Sequence, residues 1–113
     1  MEHSLKTWPH EFDAIASGQK TFEARSTKDR SFGVGDILLL RKWDPSASNG
    51  FSRVGGYVKP GSDGGWHLWK ERDAATIRAE VTYVLHGGRF GLPEDMCVMS
   101  IRVLTTLVAT ESL

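Results

Sequence analysis

Hydrophobic and polar residues alternate with a period of two along several stretches of this chain, and with a helical period along one. From Ile77 the alternation is regular. Ile77, Ala79, Val81, Tyr83 and Leu85 fall on one face and Arg78, Glu80 and Thr82 on the other, which predicts a strand of good β-formers. Cys97 to Leu107 predicts a last strand, with Met99, Ile101 and Val103 sharing a face. The apolar run Ile37-Leu38-Leu39-Leu40 follows Val34-Gly35-Asp36 and passes into Arg41-Lys42-Trp43. It reads as a strand covered on both faces for part of its length. His3 to Lys6 predicts a short first strand with Leu5 as its core contact. The one helical pattern comes next: Phe12, Ile15 and Ala16 make a narrow apolar face at i, i+3 and i+4. Pro9 suits the first turn of that helix, and Glu11 and Asp13 put negative charge near its positive end. Gly18 suits the left-handed position that ends it, and Trp8 is expected to pack beside Phe12.

Gly18-Gln19-Lys20-Thr21-Phe22-Glu23-Ala24-Arg25 holds the densest set of reactive side chains in the sequence. With period two, Phe22 and Ala24 face one way and Thr21, Glu23 and Arg25 the other. The polar side reads either as the solvated face of an antiparallel strand or as the wall of a ligand site. Ser26 to Phe32 is turn-like. Asp44 to Gly65 is rich in glycine and has a broken pattern; Tyr57 to Lys59 and Trp66 to Trp69 predict two short strands joined by Pro60-Gly61-Ser62-Asp63-Gly64-Gly65. This is expected to be a mobile hairpin projecting from the core. His86 to Pro93 is a glycine-rich loop, and the last residues are expected to fray. One helix with five to seven strands joined by loops predicts a mainly β (α+β) fold. The expected form is a small, mostly antiparallel β-barrel with one N-terminal helix and a projecting hairpin insertion at 46–75, all in a single domain over 1–113.

Composition narrows the functional classes. Fourteen basic residues balance fourteen acidic ones, which argues against a broad field of the kind that coats duplex DNA but leaves room for a local basic pocket. Cys97 is the only cysteine, so no internal disulfide forms and a reducing cytoplasm is the expected location. The N-terminus has no signal-peptide pattern and no apolar run approaches a membrane span. His3, His10, His67 and His86 are scattered and Cys97 has no partner, so no metal site is expected. Gly87-Gly88-Arg89-Phe90-Gly91 lacks the spacing of a phosphate or dinucleotide loop, and no cofactor is expected.

Gly18-x-Lys20-Thr21-Phe22-Glu23-x-Arg25 is followed by Asp29-Arg30-x-Phe32, Val34-Gly35-Asp36, Leu40-x-x-Trp43-Asp44 and Gly91-Leu92-Pro93. In that order the set resembles the ASCH domains of the PUA-like superfamily, and more narrowly the phage and bacterial ASCH-like family called domain of unknown function 3850. The resemblance implies a pseudo-barrel whose cleft is lined by Lys20, Glu23 and Arg25, and recognition of RNA or a modified nucleobase. The segment from Ser46 to Ala75 is longer than expected for the family.

The residue types support that chemistry. Lys20 is a point charge and Arg25 a planar fork for phosphate or carbonyl groups. Glu23 either accepts from an exocyclic amine or neutralises Arg25 internally. Thr21 adds a hydroxyl, and Trp8 and Trp43 are candidates to sandwich a base. Asp36 reads as a turn residue. The alternative is a small hydrolase acting on an acetylated cytidine or on RNA. ASCH relatives that cleave acetylcytidine use a lysine with a threonine three residues on, and here Glu23 stands in that place. A variant chemistry would make Glu23 a general base with Lys20 on the oxyanion, with Glu94 as a possible second carboxylate. His86 is a further candidate for a cleft-lining residue. A third reading is an interaction module whose 46–75 hairpin docks on a protein partner.

Overall fold

The structure, a computed structural model, describes residues 1–61 and 69–107. β1 (Glu2–Thr7) leads into α1 (Pro9–Ala16), then β2 (Phe22–Ser26), β3 (Ile37–Asp44), the two-residue β4 (Gly56–Tyr57), β5 (Thr76–His86) and β6 (Met96–Leu107). The sheet runs β1-β3-β5-β6-β2, with β4 on the far end of β3. It is a mixed sheet curled into a half-barrel, as the mainly β expectation required. Every pairing is antiparallel except β1 with β3, which is parallel. A parallel pair cannot close through a tight turn; here the connection carries α1 and β2 between the two strands.

α1 begins at Pro9 and ends where the pattern predicted. The Ser17 and Gly18 amides donate to Asp13 and Ile15, and Gly18 takes φ +84°, a conformation glycine adopts without strain. Its apolar face buries Phe12 and Ile15 against Leu38, Leu40, Ile77, Ala79, Val81 and Met99 on the concave side of the sheet. Trp8 does not join them. It is the residue before the helix, it is 59% exposed, and its carbonyl accepts from the Phe12 amide.

Two strands depart from simple alternation. β5 slips register between Val81, opposite Ile101, and Tyr83, opposite Ser100, leaving Thr82 as the extra residue of a bulge. The slip turns Tyr83, expected inward with Val81, out to 60% exposure and brings Val84 onto the core instead. On β6, Cys97, Met99 and Ile101 point inward as expected, but Val103 is 42% exposed near a second shift.

The 46–75 stretch is anchored on β3 over its described residues. Trp43 pairs with Tyr57, Tyr57 bridges to Trp69, and the Val58 and Ala75 backbones bond to each other and to Lys42. Gly55, at φ +80°, lies under the Trp43 ring, which would sit 2.3 Å from an added Cβ. The strand expected at Trp66–Trp69 lies outside the described residues except for Trp69. So does most of its turn, and so do the C-terminal residues expected to fray. Among the described residues no helix is long and apolar enough to cross a membrane.

Asp36 is more than a turn residue. Its carboxylate accepts from the Gly33 amide at 2.9 Å and lies 2.8 Å from Nε2 of His3, which is buried against the Phe32 ring. It therefore ties the start of β1 to the turn before β3. The His3 contact, then the Gly33 amide, hold the Asp36 carboxyl at a pKa of about 2, below its ordinary 3.8. A depressed carboxylate pKa adds stability that is present above the ordinary value and disappears as pH falls through the depressed one. Asp36→Ala is expected to cost about 1–3 kcal/mol at neutral pH in urea unfolding, since it leaves His3 without its partner. The gap between wild type and variant should narrow as pH drops from about 4 toward 2.

Candidate functional site

The half-barrel leaves a seam. β1 and β2 are the two ends of the strand order, so among the described residues each has one edge that no strand pairs. Arg25 spans the gap from β2. Its Nη1 donates to the Lys6 carbonyl at 3.0 Å and its Nη2 to Thr7 Oγ1 at 3.1 Å, both on β1. Glu23, one pleat back on β2, is only 2% exposed, and its Oε1 accepts from Arg25 Nε at 2.8 Å. Of the two readings of that polar strand face, the solvated one does not hold. Glu23 and Arg25 face inward, while Phe22 and Ala24 are exposed. The inversion has a physical cause: the seam brings unpaired backbone and the Thr7 hydroxyl to this place, and a guanidinium satisfies them where a hydrocarbon side chain would not.

Above the seam lies an open cleft of about 280 Å³, walled by Lys6, Thr7, Trp8, Glu11, Lys20, Glu23, Ala24 and Arg25. Charges alternate along it. Lys20 Nζ is 2.7 Å from Glu11 Oε1 and 3.6 Å from Glu23 Oε2, so Glu23 has Lys20 on one oxygen and Arg25 on the other. Hydrogen bonding to Lys20, and then the ammonium's charge, lower the pKa of Glu11. Lys20 is placed by its own amide, which donates to the Ala14 carbonyl at the end of α1. Among the described residues no carboxylate pairs with Lys6. Its ammonium instead lies over the Trp43 ring, 4.8 Å from the centroid.

Of the residues singled out in the sequence, Trp8, Lys20, Glu23 and Arg25 come together at the cleft. Thr21 does not; its side chain is exposed and its carbonyl accepts from the Ile101 amide. Trp43 does not line the cleft either, since it lies beyond Lys6 and over Gly55. Glu94 packs near Gly88, and His86 lines a different groove.

Sequence reasoning missed Lys6 and Glu11 as wall residues. Lys6 could have been suspected from β1 alternation, which puts it on the face opposite Leu5. Nothing in the spacing of Glu11 and Lys20 announces their contact. The Arg41-Lys42-Trp43 cluster is structural: Lys42 pairs with Asp13, and Arg41 contacts Ser4, Glu71 and Thr76.

The model of a family described as domain of unknown function (DUF3850) matches residues 2–101. The chain belongs to that family. The match runs through the 46–75 segment. A search of curated proteins returns no match. In this DUF3850 chain the matched region contains every wall residue of the cleft.

Removing one member of a buried ion pair strands the other, at a cost of about 3–5 kcal/mol. Glu23→Ala is therefore expected to lower stability by about 3 kcal/mol in urea unfolding. Lys20→Ala, whose charge sits closer to the rim beside the half-exposed Glu11, is expected to cost about 1 kcal/mol or less. Equal losses in the two variants would contradict the structural role of the Glu23–Arg25 pair.

Proposed function

We propose that this cleft binds one nucleotide unit of RNA or a free nucleotide, and that the domain is a nucleotide-recognition module of the ASCH branch of the PUA-like barrels. The observation that carries this is the pairing of an exposed indole, Trp8, with two lysines, Lys6 and Lys20, on the wall of one hollow. A base stacks on an exposed ring at small entropic cost, and a phosphate takes ammonium donors. Lys20 carries three N–H donors, and of its two carboxylate neighbours only Glu11 stands within hydrogen-bond distance. Zero net charge suits a pocket for one unit better than a long groove. The buried, unpaired Cys97 fits the reducing cytoplasm in which such a ligand is met.

Binding is favoured over hydrolysis for a specific reason. Among the described residues the only hydroxyl on the cleft wall belongs to Thr7, and it both accepts from Arg25 and donates to the Leu5 carbonyl. Thr21, the hydroxyl beside Lys20 in sequence, is outside the wall. Glu23 faces a cation on each oxygen, which makes it the internal counter-ion of the site and not a base poised over a substrate.

Calorimetric titration with the ribonucleoside monophosphates tests the proposal. Trp8→Ala and Lys20→Ala should each weaken binding about tenfold, from a lost stacking surface and a lost charge-assisted hydrogen bond respectively. Unchanged affinity in both would remove the cleft from consideration.

A further inference from the structure

The strand register connects the cleft to a second groove. On the outer face of the sheet Phe22 of β2 stands opposite Ser100 of β6, and Ser100 stands opposite Tyr83 of β5. The next row is Ala24, Val98 and Leu85. Partners directly across a sheet point to the same side, so each row is a continuous strip on the outer surface. Ala24 lines the cleft, and Tyr83 and Leu85 line a groove of about 280 Å³ with Val84, His86, Gly87 and Arg89. The two hollows are therefore the ends of one path, two strand spacings or roughly 10 Å across.

The chemistry along this path is unusual for a solvated sheet face. Phe22 is 46% and Tyr83 60% exposed, with only the small Ser100 between them. The Lys20 ammonium, a wall of the cleft, also lies over the Phe22 ring at 5.1 Å from its centroid. Arg89 and His86 stand at the far end, with Glu94 the nearby acid beside Gly88. Phe90, next to Arg89, is almost fully exposed at φ +53°, a strained conformation for a bulky residue, within a loop closed by the Gly88 amide on Leu92 and the Leu92 amide on Arg89. On the other side the path is bounded by Arg102 and Glu80, which neutralise each other.

We infer that a single-stranded oligonucleotide runs from the cleft across β6, stacking bases on Phe22 and Tyr83 and placing a backbone phosphate at Arg89. Exposed rings interleaved with cations, without a field strong enough for duplex, match how single strands are held. The bulge at Thr82 is what creates this surface: without it Tyr83 would have stayed on the core face with Val81. The inference rests on the nucleotide reading of the cleft and extends it.

Fluorescence anisotropy with labelled oligoribonucleotides of one to eight residues at low salt separates the two. Affinity is expected to rise over the first three or four nucleotides and then level off. Tyr83→Ala and Arg89→Ala, both exposed substitutions, should each weaken the longer oligomers about tenfold while leaving mononucleotide binding unchanged. Mononucleotide binding with no gain in length overturns the path alone. No binding at any length overturns the cleft reading with it. Sedimentation of the free protein adds a further check: self-association abolished by Tyr83→Ala would assign the face to a second copy of the chain and overturn the path.

Discussion

The Arg25 guanidinium does what a missing set of backbone hydrogen bonds would otherwise have to do. The curled sheet ends in two strands, β1 and β2, that face each other across a seam without pairing. Arg25 crosses the seam to the Lys6 carbonyl and the Thr7 hydroxyl, and Glu23 beneath it holds the fork in place. A charge buried this far is tolerated only because it is paired and hydrogen-bonded at the same time. A closed barrel would have needed no such pair, and would have had no cleft.

The rest of the architecture positions that seam. β1 reaches the edge because it adds in parallel to β3, and the long connection that a parallel pair needs is used to lay α1 over the concave face. α1 then supplies Glu11 from its first turn and, through the Ala14 carbonyl near its end, the place of Lys20. Asp36 secures the other end of β1 through His3, with Gly33 in the turn before β3. The helix, the sheet edge and the charge chain of the cleft are thus parts of one arrangement, with β1 held by Asp36 at one end and by Arg25 at the other.

The proposed binding role rests on a fold left slightly open. Arg25 satisfies the seam and, with Lys20, the buried Glu23, while Lys6 and Lys20 stand on the cleft wall. On the outer face the register slip in β5 does something similar with an aromatic: it costs the core Tyr83 and recovers Val84, and the displaced ring becomes surface. In both places a departure from an ideal barrel leaves polar or aromatic groups at the surface.

Local pattern determined a good deal by itself. Pro9, the Phe12/Ile15 face and Gly18 bounded the helix, because capping and periodicity act within a few residues. Alternation indicated β5 and β6, an apolar run β3, and the close spacing of Lys20, Glu23 and Arg25 picked out three residues that the fold brings to one cleft. Only the tertiary structure decided which side of β2 was inward. A polar strand face is ordinarily the wet one, and nothing local says that an unclosed seam needs a guanidinium. The contact of Glu11 with Lys20, the exclusion of Thr21 and Trp43 from the cleft and the outward turn of Tyr83 were likewise beyond local pattern. Each depends on where distant strands meet and in what register, and strand register is set by the packing of the whole sheet.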